Sequence, residues 1–175
     1  MKNSFLVILT LVGIQQINAQ FTRRDSLQGG LRIERTSYDV KRYDLNITIN
    51  PEQKSIKGFN EISFEVMVPT QKIQLDLFDN MKVDSIVWNT KKLKYNRDND
   101  AVFIDFPEKL ASKSNHKLKF YYSGNPKIAK NAPWDGGFVF KKDSNGKDFI
   151  GVAVQGTGAS LWYPVKDSQT DEPDN

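Results

Sequence analysis

The chain of 175 residues contains no cysteine. That absence excludes a disulfide framework, a thiolate metal site and a cysteine nucleophile. Histidine is almost missing as well: His116 is the only one. It sits in KSNHKL, a polar stretch entering a strand, and reads as a surface histidine, not as the base of a serine triad. A histidine-based zinc site draws two or three imidazoles, and H-E-x-x-H needs two by itself. Runs of one charge are lacking too: 25 basic and 21 acidic residues are interleaved for a net +4. Such interleaving reads as solvated strand faces, and no nucleic-acid partner is expected. A phosphate loop is also missing, because Gly156 and Gly158 are not followed by the lysine and serine that G-x-x-x-x-G-K[ST] requires.

Long apolar runs are confined to the N-terminus, MKNSFLVILTLVGIQQINAQ. Lys2 gives a positive start, Phe5 to Ile14 is too short to span a bilayer, and Ala19 is a small residue before Gln20. Residues 1–19 therefore read as a signal peptide. The mature chain is expected to be exported, periplasmic or extracellular, with no membrane span. Residues 20–36 read as a polar leader lying over the domain without joining its core.

What the chain has is alternation. Tyr43, Leu45, Ile47 and Ile49 recur at period two, as do Ile62, Phe64, Val66 and Val68, with turn residues Asn50 to Lys54 between. A long hairpin is expected. Further strands are expected through Ile73, Leu75 and Leu77, then Val83, Ile86 and Trp88, then Val102 to Phe106, stopped by Pro107. Leu118, Phe120 and Tyr122 follow, and GFVFKK and DFIGVAVQ pair across a turn at Asn145-Gly146. No segment holds a 3.6-residue period with caps. Short strands about ten residues apart predict an all-β fold, an antiparallel sandwich or a partly open barrel.

Chemistry-bearing groups are few. Asp167, Asp171, Glu172 and Asp174 crowd the end of the chain, but their spacing is not that of an EF-hand loop, and a solvated acidic tail is expected. Asn46-Ile47-Thr48 is a formal glycosylation sequon in a strand, with no function attached. Composition and motifs alone give a secreted β-domain without a self-sufficient catalytic set.

Three stretches in order go further: YDVKRYDLNITINPEQKSIKGFNEISFEV, APWDGGFVF, and GVAVQGTGASLWYPVKDSQTDEPDN. Together, from about Ser37 to Asn175, they resemble the N-terminal domain of the aminopeptidase N and leukotriene A hydrolase family of zinc metallopeptidases. The resemblance implies a saddle-like β-sandwich over residues 37–164. It implies that residues 165–175 are a junction into a catalytic domain, so that the chain looks truncated before the zinc-binding H-E-x-x-H. Zinc would belong to that catalytic domain in cis; no metal ligand and no catalytic residue is expected in this chain.

One site residue carries over. In the family a Gln or Glu nine residues before the aromatic-proline corner reaches toward the substrate's free amino group; Gln155 lies nine before Pro164 and takes that place. Ser160 stands where several relatives have arginine, so no carboxylate-binding role is implied there. Trp134, Gly136 and Gly137 match a family loop and are expected to be structural, the glycines turning and Trp134 packing. The activity implied is removal of N-terminal residues from peptides, with the peptide N-terminus as partner and this chain inactive alone. The alternative is a stand-alone secreted binding module for glycan or peptide, with Trp88, Trp134, Tyr121 and Trp162 as candidate platforms. A docking domain would also leave an exposed apolar patch around Phe149 to Tyr163.

Overall fold

A computed structural model describes residues 21–168 and 170–174. The signal-peptide reading, residues 1–19, lies outside the described residues. No helix among the described residues is long and apolar enough to cross a membrane.

The fold is all-β apart from short helices. Strands β1 (Tyr38–Asn50) and β2 (Ser55–Val66) form the expected hairpin, turning at residues 51–54 and running from Asn50↔Ser55 to Tyr38↔Val66. A second strand set, β4 (Met81–Trp88), β5 (Lys91–Lys92) and β8 (Asn115–Gly124), completes a five-stranded sheet in the order β1-β2-β8-β4-β5. Strands β3 (Thr70–Asp76), β6 (Lys94–Asp98) and β7 (Ala101–Leu110) form a three-stranded sheet, order β3-β7-β6. The two sheets close over one core, with Ile62, Phe64 and Phe120 from one and Ile73, Leu75 and Ile104 from the other. Strands β9 (Gly137–Lys142) and β10 (Asp148–Ala153) are a separate hairpin, anchored by buried Phe138.

Three expectations change in the structure. Leu45 is exposed, although it falls between Tyr43 and Ile47 on the face that turns to the core after a bulge between Val40 and Arg42. Tyr38 and Val40 face the core before it, Tyr43, Ile47 and Ile49 after it. Val68 lies beyond β2 and is also exposed. Pro107 does not stop β7: the pairing jumps from Lys72↔Asp105 to Thr70↔Leu110, and inside that irregularity a residue without an N–H breaks no ladder bond.

The leader is helical, not merely polar cover. Helix α1 (Arg23–Gly29) starts from a capping box in which Thr22 and Asp25 satisfy each other's backbone, and α2 (Ile33–Thr36) follows. Leu27 and Arg35 are buried. The leader lies on the far face of β3, which explains why Gln74 and Asp76 are as buried as Ile73 and Leu75, which alternate with them.

Candidate functional site

The residue singled out by the sequence, Gln155, stands two positions past the end of β10, on an exposed turn. The turn closes on itself: the N–H groups of Thr157 and Gly158 both donate to Val154 O, at 3.1 and 3.0 Å. Gly156 and Gly158 have φ of 69° and 79°, a region that side-chain-bearing residues rarely adopt, so both glycines are needed for this tight reversal. The Thr157 hydroxyl also donates to Val154 O. The local bonds of the turn are thus made by backbone and Thr157, which leaves the Gln155 amide presented to the outside.

A second loop leans against this turn. Gly136 is pressed so closely on the Thr157 side chain that a Cβ there would sit 2.7 Å from Thr157 Cγ2. That loop is shaped by Asp135, whose carboxylate accepts the N–H groups of Lys130 (2.6 Å) and Asn131 (2.7 Å). These bonds hold the Asp135 carboxyl below the usual aspartate range. Gly137, with φ of 153°, turns the chain into β9, consistent with the role read from sequence. Trp134 does not pack the loop: it is 79% exposed, and the loop is held instead by the two N–H groups bonded to Asp135.

Behind the turn lies the end of the chain. Ser160 is fully buried and donates from Oγ to Asp167 Oδ2 at 2.6 Å. Val165 bridges to Asp76 through two backbone bonds, Asn60 Nδ2 donates to Pro164 O, and Lys166 N donates to Tyr43 Oη. Lys166 is itself buried, with Nζ donating to Tyr38 O and paired with the Asp171 carboxylate. The tail is therefore not simply a solvated acidic run: Asp171 is the buried counter-ion of Lys166. Burial, with Asp39 beside it, pushes the Asp171 carboxyl up. Asp174 reaches Lys41 at 3.6 Å.

The remaining residues weighed from sequence lie elsewhere. His116 is half-buried between Phe64 and Trp88, with Nε2 2.7 Å from Ser114 Oγ, and burial lowers its pKa. Polar neighbours in the sequence hid these aromatic partners, which come from β2 and β4. Trp88 is a core residue and Trp162 stacks edge-on to Phe138, so neither is an open platform; Tyr121 is partly exposed beside Phe59. Phe149, Val152 and Val154 are exposed, Phe149 on the opposite face of β10 from the other two, and the expected patch fails at its far end, where Leu161 is buried and Trp162 and Tyr163 pack against the core.

Among the described residues no three of His, Asp or Glu converge as metal ligands. The one imidazole is committed to an aromatic pocket, so the donor set does not fit a catalytic zinc.

Residues 39–174 match the family model described as the peptidase M1 N-terminal domain. Solved structures agree in fold. A mutant M1 zinc metallopeptidase from Deinococcus radiodurans, bound to a Tyr-Ser-Ala substrate, superposes with a TM-score of 0.58 at 20% identity, covering 78% of this chain and 31% of its own. Leukotriene A4 hydrolase from Saccharomyces cerevisiae superposes with a TM-score of 0.61 at 15% identity, covering 78% and 22%. The chain thus spans a third or less of these structures. No curated protein matches it.

Proposed function

The chain belongs to the peptidase M1 N-terminal domain family, and from that premise we propose that it is the substrate-facing β-domain of an exported zinc-dependent aminopeptidase. The observation that carries the reading is Gln155, held on an exposed glycine turn just past the end of β10, where the turn's own bonds are made by backbone and Thr157. An amide carbonyl accepts hydrogen bonds from a peptide's terminal ammonium, and a fixed acceptor measures where the peptide begins. Zinc and its ligands come from a catalytic domain acting in cis, since the residues here do not form such a site. This chain alone is inactive, and its role is to orient the substrate.

The test joins this domain to its catalytic domain and measures hydrolysis of an aminoacyl anilide. A hydrogen bond to a charged group contributes about 1.5–3 kcal/mol, so Gln155→Ala is expected to raise KM about tenfold or more. Gln155→Glu, which keeps an acceptor, retains binding. An unchanged KM in Gln155→Ala, or zinc-dependent hydrolysis by this chain alone free of contaminating peptidase, overturns the reading. The binding-module alternative rests on Trp134, the one strongly exposed indole; saturable glycan binding lost in Trp134→Ala would favour it.

A further inference from the structure

The leader precedes the residues that match the family model, yet it contributes a buried cation to the structure behind Gln155. We infer that Arg35 is a positioning residue for the Gln155 turn, acting through Asp76 and Asp167, and that the leader is a working part of the amine-binding site. This inference rests on the proposed role of Gln155.

The geometry forms a relay. Arg35 is 2% exposed. Its Nη1 donates to Asp76 Oδ2 at 2.6 Å and its Nη2 to the backbone carbonyl of Asp167 at 2.5 Å. The same Asp76 oxygen accepts the N–H of Asp167 at 3.1 Å. Both polar groups of the Asp167 backbone are therefore held, one by Asp76 and one by Arg35. With its backbone fixed, Asp167 extends its carboxylate under the Gln155 turn. There it accepts the Ser160 hydroxyl and lies so close to Gly158 that a Cβ on that glycine would meet Asp167 Cγ at 2.5 Å. The opposite side of this corner is tied by Phe78 N donating to Ser160 O at 2.8 Å. Any shift of Asp167 must displace Ser160 and Gly158, and so the base of the turn.

A direct route from the leader is not available. A groove of about 730 Å³ separates Gln28, Gly29 and Leu31 of the leader from Gly156, Thr157 and Gly158. Asp167 lines this groove beside the turn, and Arg35 and Asp76 act on the turn through their bonds to the Asp167 backbone. A guanidinium fork suits this task because it serves two acceptors in fixed directions, which one ammonium does not. Buried ion pairs are weak evidence for stability, and specifying a geometry is among their better attested uses.

The test has two readouts. In the full chain, amide exchange at Thr157 and Gly158 is measured for Arg35→Lys, Asp167→Asn and Ser160→Ala. About tenfold faster exchange at both amides is expected, with the Gly146 amide of the distant hairpin turn unchanged. In the protein joined to its catalytic domain, Arg35→Lys is expected to raise KM with kcat little changed, and that rise is expected to vanish when Gln155→Ala is also present. Unchanged exchange in the folded variants overturns the relay. So does a KM rise that persists in the Gln155→Ala background, because the leader would then act elsewhere. If Arg35→Lys does not fold, Asp167→Asn and Ser160→Ala decide the question by the same measurements. A Gln155→Ala protein with ordinary KM would overturn the amine-binding reading instead, while faster exchange would still show that Arg35 sets the turn.

Discussion

At the scale of single residues, burial and partners decide what a side chain can do. His116 shows this most directly. Its ring rests against Phe64 and Trp88, and burial lowers its pKa while Glu108 pulls weakly the other way. A histidine with a depressed folded pKa contributes stability that is fully present above its unfolded value, near 6.5, and is lost as pH falls through the lower folded value. Because the chain has a single histidine, proton NMR of its imidazole is unambiguous, and its midpoint is expected below 6.5. The urea midpoint should fall with acidification over the same range, and His116→Gln should remove that slope. An imidazole titrating at or above 6.5 would contradict the packing described.

At the scale of elements, the candidate site is two loops meeting: the Gln155 turn and the loop of residues 130–136. The second depends on one carboxylate, Asp135, bonded to two backbone N–H groups. Its lowered pKa means that the support it gives is complete above the ordinary value of 3.8 and is lost as pH falls through the lower folded value. The Lys130 and Asn131 amide resonances should therefore titrate together with a midpoint under 3.8, and Asp135→Asn should abolish the transition. A midpoint at 3.8 or higher would mean that the carboxylate does not hold the loop. The elements themselves were legible in the sequence to different degrees. Period-two alternation located the strands because a half-buried strand must alternate. It could not reveal bulges: Val83, Ile86 and Trp88 share a face only because of an irregularity between Val83 and Ser85. The leader helices were missed because they are too short for a period to show, although Thr22 and Asp25 carry a capping spacing. Gln155 came from resemblance, since a glutamine after a strand carries no signal of its own. Arg35 could not be read at all: its partners lie 41 and 132 residues away.

At the scale of the whole molecule, two sheets bury one core, while apolar side chains remain outside near the Gln155 turn. Val152 and Val154 lead into that turn, Phe149 lies farther along the same hairpin at 56% exposed, and Trp134 stands on the neighbouring loop. Single exposed apolar residues are ordinary, but several on one hairpin and its adjoining loop carry a hydration cost that a covering surface would remove. The proposed role supplies that surface, since a residue that meets the substrate N-terminus must face the domain that cleaves it. The chain alone is therefore expected to bind a hydrophobic dye and to self-associate as concentration rises. Phe149→Glu and Val154→Glu should reduce both effects, whereas Val68→Glu, at an exposed residue just past β2 that bonds to Ser37, should leave them unchanged. Light scattering and dye fluorescence across a dilution series would decide this. A chain that stays monomeric, binds no dye and responds equally to all three substitutions would show that the hairpin is an ordinary solvated surface, and the covering domain would have to be sought on another face.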